Sequence, residues 1–320
     1  HLSLRRQRQM CIRDRYIVIK ILYFKLWRSS VMSNAKKLDQ FYTSRKTSQQ
    51  CLHILEKLLN NHYDLNNTTF LEPSAGDGSF LDALNDKKYS WIAGDIEPHN
   101  ENIIKTDFLQ DYNWELDKDK DIIIGNPPFG KRSSLAIDFV NKGLELVDTV
   151  AFILPIQFNK YLTQKKINDD AQLINSTILK PDSFIFNNKN YSVRTVFQVW
   201  TLKDNIGKDQ RIRTAPPTKH KDFQLEYYNC VPEKLHLFEK EWDFAVLRQG
   251  WGDFNPIVLD DYNQLSKKKQ WMFFKSDNKN IIKKLKNIDY NNLAEKNTSV
   301  RGFGKADIIA EYNSLYNKKY

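Results

Sequence analysis

Asn126, Pro127, Pro128 and Phe129 place a side-chain amide, a carbonyl stiffened by proline and a flat aromatic face within four residues. Such a set can accept hydrogen bonds from a donor group and stack on a planar ring. It is useful only if it is held still where a ligand can reach it. The preceding run, Asp121-Ile-Ile-Ile-Gly125, has three branched apolar residues and reads as a buried strand. Proline has no N–H and a fixed φ, so pairing must stop at Asn126. The amide and the phenylalanine are thus expected on a stiff turn at a strand's C-terminal edge, where open α/β sheets bind ligands. A plain strand end with a Pro-Pro stop would look the same, and the residues upstream weigh between the two.

Upstream, Thr68–Glu72 reads as a strand, Pro73-Ser-Ala-Gly-Asp-Gly-Ser79 as a small-residue turn, and Phe80–Asn85 as the start of a helix. Gly76 and Gly78 allow close backbone approach and positive φ, and N–H groups at a helix start suit an anionic group. A second strand, Ser90–Glu97, ends in acids, and Asp95 lies 19 residues after Gly76. An acid at that separation is placed to hold a ribose diol. Asp107-Phe108 would reach the same crevice from a third loop. Before this unit, Gln49–His62 carries helical apolar spacing, with Thr47 or Ser48 as the expected N-cap. After the Pro-Pro stop, Ser133–Leu146 reads as a helix. Thr149–Leu154, Gln172–Leu179, Ser183–Phe186 and Val193–Leu202 read as strands.

Phe70-Leu-Glu-Pro-Ser-Ala-Gly-Asp-Gly-Ser-Phe80, Asp95-Ile-Glu97, Asp107-Phe108 and Asn126-Pro-Pro-Phe129, in that order, resemble the motifs of S-adenosylmethionine-dependent amino-methyltransferases. The group they look most like is the DNA adenine-N6 methyltransferases whose cofactor motifs come first and whose recognition region comes last. The resemblance covers about residues 38–202, and Gln40-Phe-Tyr-Thr43 is similar to that group's cofactor-binding lead-in. It implies a Rossmann-like class I methyltransferase sheet with helices on both faces, over residues 32–204. A smaller C-terminal α/β recognition subdomain would follow over 205–320. It also implies roles. Tyr42 and Thr43 would approach the methionine carboxylate of S-adenosyl-L-methionine. Glu72, Pro73, Ser74, Ala75, Gly76 and Gly78 would line its methionine part. Asp95 would bind the ribose hydroxyls, with Ile96 against the adenine. Asp107 would meet the adenine amine, with Phe108 on its ring. Asp95 departs from the commoner Glu by one methylene. Val193–Trp200 resembles the family's last strand, where Phe197 or Trp200 is a candidate second aromatic for the target base.

The chemistry fits an exocyclic amine. Its lone pair is delocalised into the ring, and acceptors on its two hydrogens, the Asn126 side-chain oxygen and the Pro127 carbonyl, would localise it for attack on a methyl group. Phe129 would stack the target ring, and direct in-line transfer needs no covalent enzyme intermediate. There is no Pro-Cys pair of the kind a C5-cytosine enzyme would use. An adenine in duplex DNA must be flipped out to reach such a site. An rRNA or tRNA base, a protein glutamine amide and cytosine N4 are rival acceptors, and an inactive nucleic-acid-binding module is a rival of another class. The trailing position of the extra region and the Phe at 129 favour DNA adenine, with or without a cognate restriction endonuclease.

The net charge of +10 is a poor guide to partners. Residues 1–31 carry eight Lys/Arg and one acid, a net +7, leaving +3 for the other 289 residues. That segment lacks a capped helix or an alternating strand. Its run Gln9–Arg15 resembles translated sequencing-adapter sequence, so 1–31 is read as a non-native or disordered extension, with Met32 as the expected start. Its apolar stretch, Tyr16–Trp27, is short of the roughly 20 residues a span needs, and no membrane role is expected. Cys51 and Cys230 beyond it form no disulfide framework, and the six His show no metal-ligand spacing. A reduced, cytoplasmic protein without a metal is expected.

Asn205–Lys221, with Gly207 and Pro216-Pro217, reads as a linker. Beyond it aromatics mix with cations, most of the aromatics being expected in a core, and Asp277–Ile288 and Lys305–Tyr316 look helical. Lys131 and Arg132 beside the Pro-Pro turn, and Arg301 and Lys305 around Gly-Phe-Gly, are the candidate nucleic-acid contacts.

Overall fold

The computed structural model describes residues 42–316 apart from 100, 111–112, 181–183, 187–188, 192 and 297–299. For Tyr42, 184–186 and 189–191 the description covers the backbone only, so the role expected of the Tyr42 side chain falls outside the described part, as does the whole of 1–31. The chain opens with β1 (Tyr42–Thr43) and α1 (Arg45–Leu59), followed by β2 (Thr69–Glu72), α2 (Ser79–Asp86), β3 (Ser90–Asp95), β4 (Ile104–Lys105) and β5 (Ile122–Gly125). Next come α3 (Ser134–Leu146), β6 (Thr149–Pro155), α4 (Tyr161–Gln164), β7 (Gln172–Ile178), β8 (Phe184–Phe186), β9 (Lys189–Tyr191) and β10 (Thr195–Thr201). The last third holds β11 (Gln224–Tyr228), β12 (Phe244–Gln249), β13 (Gln270–Lys275), α5 (Lys279–Lys286), α6 (Tyr290–Lys296) and α7 (Lys305–Tyr316).

Seven strands form one sheet in the order β4-β3-β2-β5-β6-β10-β7. The ladders from β4 to β6 are parallel, and β10 runs antiparallel to both its neighbours. Consecutive strand residues point to opposite faces, and the sheet uses both. Phe70, Ile122, Ile124, Ile153 and Val199 pack against Leu52, Leu55 and Leu59 of α1 and Phe80 and Leu84 of α2. Leu71, Ile123, Val150, Phe152 and Trp200 pack on the other side against Ala136, Phe139, Val140 and Leu144 of α3. This is the expected Rossmann-like sheet with helices on both faces. Chain order reverses between β2 and β5, so the crevice of an open α/β sheet opens at the C-terminal ends of those two strands.

Helix α1 starts earlier than the apolar spacing suggests. Ser44, not Thr47 or Ser48, is the N-cap, and its Oγ accepts the Thr47 N–H at 3.3 Å. Both expected caps lie inside the helix, where Ser48 Oγ donates to the Ser79 carbonyl at 2.8 Å and ties α1 to α2.

The stretch expected as a linker is in large part fixed. Ile206 packs into the core beneath α1. The Gln210 N–H donates to the Leu173 carbonyl at 2.8 Å. Arg211 is buried and donates to the carbonyls of Gln164, Ile167, Asn168, Asp169 and Ala171 at 2.6–3.3 Å. Contacts with the large-sheet part thus continue past residue 204 to Arg213, and we propose that the seam between the two parts lies after it. The carbonyls of this turn must be satisfied, and this arginine donates to five of them, with Arg213 sharing those of Asp169 and Ala171.

Beyond the seam, an antiparallel sheet β11-β13-β12 packs against α5, α6 and α7. Its core holds Phe223, Tyr228, Trp242, Phe244, Phe254, Trp271, Phe273 and Phe274, so most aromatics of the last third are structural. Trp251 is 82% exposed. Among the described residues no helix is long and apolar enough to cross a membrane. Among them, too, no three His, Cys, Asp or Glu side chains gather as metal ligands.

Candidate active site

The chain leaves β2 through Pro73 and turns at two left-handed glycines, Gly76 (φ 54°) and Gly78 (φ 86°), before α2 begins. Gly78 caps the helix without a side chain, and Asp77 supplies the missing acceptor, taking the Ser79 N–H at 3.3 Å. Two neighbours hold the turn in place. The Asp95 carboxylate at the end of β3 accepts the Gly76 N–H at 2.8 Å with one oxygen and the Glu97 N–H at 2.8 Å with the other. Ser79 Oγ donates to the Thr43 carbonyl at 2.6 Å, which brings the lead-in strand against the start of α2.

Glu72 is the unusual member. It is 2% exposed, its Oε2 is buried without a hydrogen-bond partner, and its one stabilising contact is a backbone N–H from Leu81. Burial raises its pKa well above the carboxylate range, and Asp77 and Asp95 add to the rise. Three carboxyl groups thus converge on one end of the crevice. An orphaned acceptor in an acidic corner suits a ligand that carries positive charge and N–H donors there.

The catalytic candidates stand beside this corner. A Cβ added at Gly125 would lie 3.3 Å from Glu72 Cγ, so the two strand ends are in van der Waals range. Ser74 Oγ donates to the Asn126 carbonyl at 3.2 Å and joins the glycine turn to the Asn-Pro-Pro-Phe turn. Pro127 is buried, while Asn126, Pro128 and Phe129 are half-buried. Gly130 (φ 68°), Arg132 (φ 55°) and Ser133 (φ 63°) all adopt left-handed backbone before α3 starts. Two non-glycine residues in that region mark strain of order 1–3 kcal/mol each, held by surrounding contacts. One such contact is Ser133 Oγ to Gln157 Oε1 at 2.8 Å, which pins the loop to the turn after β6. Sequence reading missed Ser133 and Gln157. Nothing in either residue's local context marks a contact 24 positions apart.

The remaining candidates divide. Ile96 is 46% exposed at the crevice rim. Asp107 is exposed and accepts the Leu109 N–H at 3.0 Å. Phe108 is 1% exposed, with its ring 5.0 Å from that of Phe139 and 6.3 Å from that of Trp114, so it is packed into the core on the α3 side of the sheet. Phe197 and Trp200 are fully buried on opposite sides of the sheet, and neither offers a face to a base. Lys131 and Arg132 are exposed beside the site. Arg301 and Lys305 have partners inside the molecule. Arg301 pairs with Glu295 and lies 5.0 Å over the Phe254 ring, and Lys305 pairs with Glu226 at 3.1 Å.

No protein-family model matches the chain. It is 26% identical to the type II methyltransferase M.CvrRI of Paramecium bursaria Chlorella virus XZ-6E, over 45% of this chain and 48% of that protein. The chain therefore spans about half the length of this curated relative. Among solved structures, it is similar to a type I restriction-modification methyltransferase subunit from Streptococcus thermophilus (TM-score 0.39, 15% identity, 69% of this chain and 50% of that one). It is similar as well to TrmN from Thermus thermophilus (0.34, 16%, 49% and 52%) and to the DrdV–DNA complex (0.42, 14%, 56% and 28%).

Proposed function

We propose that this chain is a DNA methyltransferase that moves a methyl group from S-adenosyl-L-methionine to the N6 amine of an adenine flipped out of duplex DNA. The observation that carries the reading is the joining of the two turns. The glycine turn after β2 and the Asn-Pro-Pro-Phe turn after β5 meet at the reversal of the sheet, tied by the Ser74–Asn126 bond. The viral relative carries a methyltransferase's name, which supports the same chemistry.

The residues present suit the cofactor. Its ammonium and sulfonium would relieve the three crowded carboxyl groups, and the orphaned Glu72 Oε2 is a ready acceptor. Asp95 would hold its ribose, Ile96 and Asp107 its adenine, and the glycine turn its methionine end. When bound, S-adenosyl-L-methionine supplies an electrophilic methyl group. The protein's part is acceptance and alignment. Asn126 and the Pro127 carbonyl take the hydrogens of the target amine and turn its lone pair toward the methyl group, and Phe129 stacks the base. Proline and left-handed backbone keep these groups from relaxing between turnovers.

The test is methyl transfer by the full chain from labelled cofactor, with unmethylated duplex DNA, ribosomal RNA and a protein extract offered side by side. N6-methyladenine in the DNA is the expected product, and label confined to RNA or protein would overturn the DNA assignment.

A further inference from the structure

One cluster of cations in the last third has no role in packing or in the site above. The ring of Tyr227, on β11, is approached by three of them. Lys234 Nζ lies 3.4 Å from its centroid, Arg248 Cζ 5.0 Å and Lys305 Nζ 5.6 Å. Glu226 pairs with Lys305 at 3.1 Å. The Lys234 ammonium donates to the Tyr227 carbonyl at 3.1 Å and keeps its other two donors. Arg248 donates to Gln270 Oε1 at 2.6 Å, while its Nε is buried with no partner. Burial pulls the guanidinium below its ordinary pKa. Asp307 also faces it, but that carboxylate already takes Lys160 at 3.1 Å and the Gly304 N–H at 2.7 Å. With Lys160 set against Asp307, the three cations on the ring outnumber Glu226 and leave an excess of two positive charges, partly desolvated, on one aromatic face. Repulsion of that kind is relieved by a bound anion.

The cluster borders the crevice. Asp307 holds Lys160, which ends the turn that follows β6. Gln157 in the same turn holds Ser133 of the catalytic loop. Arg194, just before β10 at the same edge, donates to the Ala294 carbonyl at 3.4 Å and pairs with Glu295. An anion on the cluster would therefore lie beside the mouth of the site, at the junction of the two parts of the chain.

We propose that Lys234, Arg248 and Lys305, gathered on Tyr227, form a seat for one backbone phosphate of duplex DNA flanking the target base. The proposal rests on the DNA reading above. A phosphate offers several strong acceptors, enough for the free Lys234 donors and the positive charge of Arg248 and Lys305 together. A contact of this type positions the duplex without reading its sequence.

The test is duplex affinity of the full chain, measured by anisotropy across a salt series. Each neutralised phosphate adds about 0.9 to the slope of log K against log salt. Lys234→Gln is expected to lower that slope by about this amount, equally for duplexes of unrelated sequence, with cofactor binding and thermal melting unchanged. Arg248→Gln is expected to do the same and Arg248→Lys to restore the slope. Lys57→Gln, on exposed α1, removes the same charge elsewhere and leaves the slope as it was. Duplex binding by wild type, with slopes unchanged in folded Lys234→Gln and Arg248→Gln proteins, would overturn the seat alone. No duplex binding by wild type even at about 50 mM salt would overturn the DNA reading and the seat with it.

Discussion

Asn126 and Glu72 are neighbours with opposite tasks. In the proposed reaction Asn126 would meet the substrate, so its loss would remove an acceptor while the glycine turn stays intact. Asn126→Ala is expected to bind S-adenosyl-L-methionine as wild type does and to lose at least about 100-fold in kcat, the usual scale for one such electrostatic contact. Single-turnover transfer alongside calorimetric cofactor binding checks both halves. Glu72 bears instead on stability against pH. Its folded-state pKa is raised, so between the unfolded and folded values the native chain holds a proton that the unfolded chain releases. The stability this confers is complete below the unfolded value, about 4.3, and is lost as pH rises through the folded one. Glu72→Gln keeps an acceptor for the Leu81 N–H and never ionises. Its Tm is expected to exceed that of wild type by a few degrees near pH 8 and to converge with it toward about pH 5. A thermal-melt series across pH checks this. An unchanged difference at both ends would mean that Glu72 titrates normally.

Among the elements, those that end abruptly were legible in the sequence. The strand before Asn126, the glycine turn and the acid closing β3 each carry their own stop signal within a few residues, and all three sit at the sheet reversal. What escaped depends on distant partners. Arg211 lies in a stretch with the composition of a linker, yet its five acceptors come from 40–47 residues upstream. Composition likewise does not reveal that Glu295 faces Arg301 or that Glu226 faces Lys305. Phe108 and Trp200 read as candidate stacking rings because an aromatic at a strand end serves a core as readily as a ligand. The Arg211 plug is open to measurement. Arg211→Met keeps the length of the stem but removes a charged donor from five carbonyls, of which Arg213 still meets those of Asp169 and Ala171, so denaturant unfolding should show a loss of about 2–4 kcal/mol. A loss under about 0.5 kcal/mol, as at an ordinary surface site, would show that water satisfies the turn instead.

The whole molecule has separate hydrophobic cores on either side of the seam, one around β13 and others on the two faces of the large sheet. Polar links join the two parts, Lys160 to Asp307 and Arg194 to Glu295 among them. Inter-domain contacts of this polar kind couple unfolding weakly. The Lys160→Ala, Arg194→Ala double variant is expected to split the calorimetric transition into two, while a single shifted peak would mean that apolar contact does the coupling.

The antiparallel course of β10 also bears on how such a protein could change over time. Because β10 runs backward, the chain quits the sheet at the edge remote from the crevice and is locked there by Arg211 before the last hundred residues begin. Among the described residues, those after Arg213 hang from one covalent seam and supply no strand to the large sheet. A crossover at that seam would exchange the entire terminal module as a cassette and leave the large sheet untouched. The side chains opposite Lys160 and Arg194 are among those that would have to be matched anew in the incoming piece.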